Sequence, residues 1–379
     1  MNILFVTGHP AQVHNFRLVR EKLIQRGHQV YWLTTPKDIA TDLLEKYSIP
    51  YHVLKKPSKG TLSKFCTWLS NVIWEINYIR KNKIDLAVTR ACPYTTFAAK
   101  VAGIKHIALS DTEIAEKRIG FFSRHVDTMI VADSFWLHLR NDEIRYAGNT
   151  ELFYLHPNQY TPSPIWDFLE LKPYTPYAIV RFVKWDAWHD VDLAGGFTVA
   201  QKRELIQRIR KYMRVFISSE SDLPDDLEEY RIKIPIERMH DAQAAATLFV
   251  GESATMASES VVLGTPAIYI DEVGRGYTDE EAREDLLWMY RPVYSREDLK
   301  EGEPEWISGG VKECIEQAEY LASPAFDRET YALRHKNWLS TKIDPTAFLT
   351  WLIENYPQSA EETRKANESK DNQFWEKFK

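Results

Sequence analysis

The sequence predicts an α/β protein of two domains, each built on a parallel β-sheet covered by helices on both faces. Three observations carry this. Short apolar runs alternate with amphipathic stretches through both halves of the chain. A proline-rich stretch from Glu151 to Pro176 separates the two series and reads as a linker. Finally, 379 residues exceed what a single hydrophobic core ordinarily supports.

The first series opens with NILFVT, Asn2 to Thr7, a continuous apolar run that ends in Gly8, His9 and Pro10. An amphipathic helix from Gln12 to Gln25 follows, Gly27 stops it, and QVYWLT from Gln29 to Thr34 is the next strand. The rhythm continues with a helix near Ile39 to Tyr47 and strands at Tyr51 to Leu54, Asp85 to Thr89, Lys105 to Leu109 and Thr128 to Val131. After the linker, strands are expected at Tyr177 to Phe182, Arg214 to Ser218, Arg231 to Ile234, Thr247 to Val250 and Ala267 to Ile270. Beyond Glu354 the chain turns polar and charged, as a helical tail that packs back on the first domain or stays mobile. The expected division is 1–160, 161–342 and a tail of 343–379. No internal repeat or low-complexity segment interrupts it.

Composition excludes several classes. A net charge of -6 argues against a nucleic-acid partner held by a basic surface. Cys66, Cys92 and Cys314 are odd in number and lack metal-ligand spacing, so they read as reduced thiols of a cytoplasmic protein. The N-terminus lacks the charged region of a signal peptide, and no run of about 18 apolar residues offers a membrane span. Lys55, Lys56, Lys59 and Lys64 lead into a helix carrying Phe65, Trp68, Leu69, Val72, Ile73 and Ile76 at helical spacing. Residues 55–80 thus have the composition for peripheral contact with the inner face of an anionic membrane, although packing on the sheet explains the same stripe.

The chemistry concentrates in GESATMASESVVLGTPAIYID, Gly251 to Asp271. A buried strand leads through a small-residue turn, Gly251 to Ala254, into a helix from about Thr255 to Leu263. The first amides of such a helix lack intrahelical partners and sit at the positive end of its dipole, so phosphate is a natural occupant. Small residues at Gly251, Ser253 and Ala254 let an anion reach them, and Ser253 or Thr255 can cap the helix. Glu259 lies about one turn further in, where a buried carboxylate needs partners such as ribose hydroxyls. An ordinary strand, turn and helix, with Glu259 solvated, accounts for the same pattern. Glu252 cuts against phosphate unless it points away.

This order of strand, glycine turn, T-M-x-x-E and L-G-T-P resembles the nucleotide-diphosphate loop in the second domain of GT-B sugar-nucleotide enzymes. That group includes glycosyltransferases and the non-hydrolysing UDP-N-acetylglucosamine 2-epimerases. The closer resemblance is to the domain of unknown function 354 family, expected to share the fold. HPAQVHNF with RGHQV, VRFVKWDAWHD and IPIERMHDAQAAATLFVGE support it, so it covers both domains. It implies two Rossmann-like domains whose parallel sheets face across a cleft. It assigns the donor's base to the Pro235 and Ile236 backbone, the diphosphate to Gly251, Ser253, Ala254, Thr255 and Met256, and ribose to Glu259. Arg181 and Lys184 would neutralise the departing diphosphate, or form surface salt bridges. His189 is a general acid, a phosphate contact or a satisfied loop histidine.

The first domain would bind the acceptor: a sugar, a glycan or a lipid-linked group. His9 and His14 flank the turn after the first strand, where related transferases place a base. The helix dipole there would keep His14 neutral, although it can equally cap or pack. Asp111 and Glu113, in LSDTEIAE, fall at the carboxyl end of a strand, where ligands of such sheets bind. Glu113 matches an acid-base glutamate of the epimerases, but S-D-T-E-I keeps their H-V-E-A-G motif only in part. The aspartate they place after the preceding strand has no match in TRACPYTT, Thr89 to Thr96. GT-B enzymes generally rely on helix dipoles and cations, so the resemblance implies neither a metal nor a cofactor beyond the nucleoside-diphosphate sugar. The reading is therefore a glycosyltransferase using a UDP-sugar or related donor in cell-surface polysaccharide or glycoconjugate synthesis. Its alternatives are a sugar-nucleotide epimerase and a non-catalytic sugar-nucleotide-binding protein.

Overall fold

The structure, a computed structural model, describes residues 1–35, 38–56, 60–90, 92–111, 113, 116–183, 197–219, 222–292 and 307–379. It divides into two compact units, Met1–Gln159 with Lys342–Lys379, and Tyr160–Thr341.

The first unit begins β1 (Asn2–Thr7), α1 (Pro10–Gln25), β2 (Gln29–Thr34), α2 (Asp38–Lys46), β3 (His52–Val53), α3 (Thr61–Lys81) and β4 (Leu86–Thr89). It continues α4 (Pro93–Ala102), β5 (Lys105–Ser110), α5 (Glu116–Ser123), β6 (Thr128–Ala132), β7 (Ile144–Tyr146) and α6 (Leu152–Leu155). Seven parallel strands lie in the order β3-β2-β1-β4-β5-β6-β7. Helix α1 begins two residues before the expected Gln12, because Pro10 suits the first helical turn and His9 caps it, Nδ1 accepting from the Ala11 amide at 3.3 Å. Strand β3 is shorter than expected, and β7, three residues long, was too short to show a period. Phe5 packs its ring 5.1 Å from Phe16 and 5.6 Å from Trp32, joining α1 and β2 to β1.

The second unit runs β8 (Tyr177–Phe182), α7 (Val199–Ile209), β9 (Arg214–Ser219), α8 (Met239–Ala245), β10 (Leu248–Gly251), α9 (Ala254–Val262) and β11 (Ala267–Ile270). It ends α10 (Gly276–Arg283), β12 (Leu287–Tyr290), α11 (Val311–Ala322) and α12 (Arg328–Ser340). Its five parallel strands lie in the order β12-β11-β10-β8-β9. The expected strand from Arg231 to Ile234 is only a single bridge between Arg231 and Ile217. A 3₁₀ turn at Glu228–Tyr230 before it and Pro235 after it leave no length for a ladder.

The chain returns to the first unit as α13 (Pro345–Glu354), α14 (Gln358–Ser369) and α15 (Asn372–Glu376). Asn367 brackets the β7 backbone, accepting from the Arg145 amide at 3.1 Å and donating to its carbonyl at 2.8 Å. Thr346 donates to the Phe153 carbonyl at 2.6 Å. No helix among the described residues is long and apolar enough to cross a membrane.

In each sheet the chain lays strands outward, then returns to the other side of its first strand. The order reverses between β1 and β4 in the first unit and between β8 and β10 in the second. At each reversal the connections leave the paired strands in opposite directions, which opens a crevice for a ligand outside their carboxyl ends.

One buried group offers a measurable handle on the first unit. Glu75 of α3 is fully buried, and among the described residues only the Thr95 hydroxyl opposes the effect of that burial on its carboxyl group, without forming a full hydrogen bond. Burial pushes its pKa up to about 7. Below about pH 4.5 folded and unfolded forms are both protonated and no penalty arises. As pH rises toward 7 the unfolded chain gains by ionising and the folded chain does not, so stability falls by about 3 kcal/mol over that window. Glu75→Gln should therefore melt about 5 °C above the native protein at pH 8 and close to it at pH 4.5. Thermal scans at the two pH values decide it, and an equal difference at both would sink the argument.

Candidate functional site

The carboxyl edge of the second sheet is set by a close approach of backbones. Gly251 ends β10 and pairs with Arg181 of β8 and Tyr269 of β11. A Cβ added at Gly251 would lie 2.7 Å from the Arg181 Cβ and 2.8 Å from the Arg181 carbonyl oxygen. Strand packing by itself thus requires glycine here, independently of any ligand that approaches it. Arg181 lies within β8, and its Nη1 donates to Ser218 of β9 at 3.0 Å.

Glu252, which sat awkwardly in a phosphate loop, has a backbone task. Its Oε2 accepts from the Val183 amide at 2.7 Å and its Oε1 from the Phe197 amide at 3.1 Å. The carboxylate is committed to two N–H donors beyond the end of β8. Ser253 is the N-cap of α9, its Oγ accepting from the Met256 amide at 3.4 Å. That bond takes the third amide of the helix, so Met256 offers none to a phosphate while the cap stands. The amides of Ala254 and Thr255, the first two of α9, have no intrahelical acceptor. Gly264, at φ +86°, ends the helix in a left-handed turn, as its position after Leu263 demands.

Glu259 lies in the second turn of α9, only 6% exposed. Its Oε1 accepts from Nε2 of His240, 3.1 Å away on α8. A second bridge links the same helices, with Gln243 donating to the Met256 carbonyl at 2.9 Å and to Ser260 Oγ at 3.1 Å. Asp241 fixes α8 in turn: it accepts from the Tyr160 hydroxyl at 2.5 Å, the Ser163 amide at 2.8 Å and Arg238 at 2.5 Å. Immediately before α8, Pro235 leads into a 3₁₀ turn at Ile236–Arg238 that leaves Ile236 exposed. Lys184 and His189 lie outside the described residues.

In the first unit, Arg90 directly follows β4 and Asp111 directly follows β5. Arg90 forms an ion pair with Asp111 through Nη2 and donates through Nη1 to Asn15 at 2.5 Å. The Thr150 hydroxyl lies 3.0 Å from Asp111 Oδ2 and 3.3 Å from Glu151 Oε2, and Asn15 donates to the Thr150 carbonyl at 2.8 Å. Asn15, Thr150, Glu151 and Glu113 are all buried. Burial works to lower the Arg90 pKa, but the adjacent Asp111 carboxylate outweighs it and the net displacement is upward. His14 is the fifth residue of α1, beyond the first turn where the dipole acts, which corrects the expectation that the helix start tunes it. Its ring packs 5.2 Å from Tyr154 and edge-on to Tyr47 at 5.9 Å.

Sequence reasoning singled out Arg181, the 251–259 segment, Asp111 and Glu113, which the structure places at the carboxyl ends of the two sheets. It did not single out Arg90, Asn15, Thr150, Glu151 and His240, which are brought to their places by contacts such as Arg90 to Asp111, Asn15 to Thr150 and His240 to Glu259. One signal was available: a lone arginine directly after a buried strand needs a carboxylate nearby.

No family model and no curated protein matches the chain. Solved structures do. UDP-GlcNAc 2-epimerase from Neisseria meningitidis, bound to UDP-GlcNAc, is 13% identical, covering 94% of this chain and 100% of its own with a TM-score of 0.62. MurG from Acinetobacter baumannii is 16% identical over 93% of this chain and 99% of its own, with a TM-score of 0.56. The glycosyltransferase VinC, in complex with dTDP, is 10% identical over 96% of this chain and 100% of its own, with a TM-score of 0.59. The chain has the GT-B fold, with two Rossmann-like domains. The resemblance to the domain of unknown function 354 family rests on the motifs quoted above.

The Glu252 tie is open to direct test. Glu252→Ala leaves two backbone donors without their acceptor, at about 1–3 kcal/mol for each that water does not reach. We expect a loss of roughly 2 kcal/mol in equilibrium urea unfolding, with Glu252→Gln, which keeps an acceptor oxygen, losing less. Native stability in the alanine variant would mean that the carboxylate does not hold these amides.

Proposed function

We propose that the protein is a GT-B glycosyltransferase that takes its sugar from a nucleoside-diphosphate donor, most simply a UDP-sugar. The observation that carries this is the start of α9. The Ala254 and Thr255 amides stand at the switch point of the second sheet, and a buried Glu259 follows one turn on. Diphosphate would accept from those amides and from Ser253, with Arg181 offsetting the charge that develops as the glycosyl bond breaks. Ribose would meet Glu259, and the base would rest against Pro235 and Ile236. The solved GT-B proteins bound to UDP-GlcNAc and to dTDP support this class of ligand.

Transfer also needs a base for the acceptor hydroxyl. We assign it to Glu113, because proton uptake at Asp111 would undo an ion pair with a buried guanidinium. His14, packed between two tyrosine rings, is the weaker choice. Arg90 favours transfer over epimerisation. It stands directly after β4, where the epimerases place an aspartate.

A nucleotide-sugar panel read by thermal shift tests the donor site. A ligand at one hundred times its Kd stabilises by about 2.7 kcal/mol, and Glu259→Ala should remove most of the effect. Unchanged stabilisation by UDP in that variant would move the donor elsewhere. Nuclear magnetic resonance of the preferred sugar nucleotide, incubated without acceptor, should show no epimer; an epimer would establish the alternative activity.

The acceptor side carries a second proposal, peripheral contact with an anionic membrane. Aromatic rings run from α3 to α5: Phe65 to Trp68 at 6.0 Å, Trp68 to Phe97 at 5.3 Å, Phe97 to Phe122 at 6.4 Å and Phe122 to Phe121 at 5.3 Å. The inner rings pack, but Phe65 and Phe121 at the ends are 57% and 52% exposed, with Lys64 and Arg124 exposed beside them. Such a stripe suits an interface that is apolar below and anionic above. Native protein should sediment with phosphatidylglycerol vesicles and not with phosphatidylcholine vesicles. Phe65→Ser combined with Phe121→Ser should abolish sedimentation, and full retention by that variant would refute the surface.

A further inference from the structure

His240 is bound to the one carboxylate that the donor reading assigns to ribose. Its Nε2 lies 3.1 Å from Glu259 Oε1, and the two side chains are only 15% and 7% exposed. With a carboxylate as acceptor, Nε2 must carry the proton. A glutamate side chain has three rotatable bonds, and fixing one of its oxygens removes most of that freedom. The ring is itself held: Tyr160 meets it edge-on at 6.3 Å, while the next residue, Asp241, anchors α8 through Tyr160, Ser163 and Arg238. Gln243 supplies a separate brace between the same helices through Met256 and Ser260. The helix pair is thus joined at two places. Of these two bridges, the His240 bridge ends on the carboxylate that the donor reading assigns to ribose.

We propose that His240 is a positioning residue that lets Glu259 discriminate ribonucleotides from nucleotides lacking the ribose hydroxyls. This rests on the nucleoside-diphosphate reading above. His240 touches no substrate in this scheme; it acts by holding the carboxylate in one orientation before the nucleotide arrives. Pre-ordering the acceptor spares its rotamer entropy on binding, so both ribose hydroxyls find it in place. The loss on removing His240 therefore falls on the hydroxyls and not on the diphosphate or base.

The test is the ratio of Kd values for 2′,3′-dideoxy-UDP and UDP, measured by calorimetry on the full-length chain. A pair of hydrogen bonds to a charged carboxylate should give the native protein a ratio on the order of thirtyfold in favour of UDP. His240→Ala should cut it to about threefold, and His240→Gln, which keeps an N–H donor close to the Nε2 position, should restore most of it. Gln243→Leu removes the other brace and should lower the melting temperature while the ratio stays at its native value. That separates positioning from simple loosening of α8 against α9. A native ratio in His240→Ala, or a collapse in Gln243→Leu as large as that in His240→Ala, overturns this proposal alone. Failure of both nucleotides to bind the native protein overturns the donor reading and this proposal with it.

Discussion

The distance between two backbones, at Gly251 and Arg181, governs what the second unit can present at its sheet edge. Any Cβ at Gly251 would meet the neighbouring strand within 3 Å, so β10 runs flush against β8 to its last residue. The turn that follows has almost no length: Glu252, then Ser253 as cap, then α9. Each side chain in it consequently has one geometry. Glu252 faces the amides of Val183 and Phe197, which hold its charge away from the helix start. Ser253 takes the third amide of α9 and leaves the first two. A larger residue at 251 would move β10, and with it the helix start and the turn that carries Glu259.

The corresponding edge of the first unit is constrained by charge. A guanidinium held among buried side chains needs a carboxylate, and Asp111 supplies it while Asn15 takes another donor of the same fork. The Thr150 hydroxyl stands between Asp111 and Glu151, its one proton nearer to Asp111. Four segments widely separated in sequence, α1, the ends of β4 and β5, and the turn after β7, are pinned by this one cluster. It fixes where Glu113 emerges two residues after Asp111. An aspartate at position 90 would place two carboxylates together and leave Asp111 without its cation.

Much of this was legible in the sequence, and the limit follows range. Strands β1, β2 and β8 appear with the expected bounds because each is a continuous apolar run ended by a turn residue or a polar stretch. The α9 motif was legible for the same local reason: cap, small residues and glutamate fall within one short stretch. The task of Glu252 was not, because its partners lie 69 and 55 residues away. Nor was the Arg90 to Asp111 pair, which depends on β4 and β5 being neighbours. His14 shows the opposite failure. A local argument placed it at a helix start, but Pro10 and His9 begin α1 earlier, so the imidazole falls beyond the reach of the unpaired amides. Arg231 to Ile234 has strand composition without the room to pair.

The electrostatics of the two edges argue for the division of labour proposed here. At the second edge the nearest carboxylate, Glu252, is turned onto backbone donors, and the helix presents unpaired amides. At the first edge one arginine is set against Asp111, with buried Glu113 two residues on and buried Glu151 reached by the Thr150 hydroxyl. A phosphate brought to about 4 Å from a carboxylate meets roughly 4 kcal/mol of repulsion at an effective dielectric of about 20. That is enough to direct a diphosphate to the second edge by nearly three orders of magnitude. A neutral hydroxyl pays no such penalty. Beside a carboxylate it is polarised toward the alkoxide that attack on a sugar requires. The carboxylates that make the first edge hostile to the donor's phosphates are thus the groups that suit it to an acceptor.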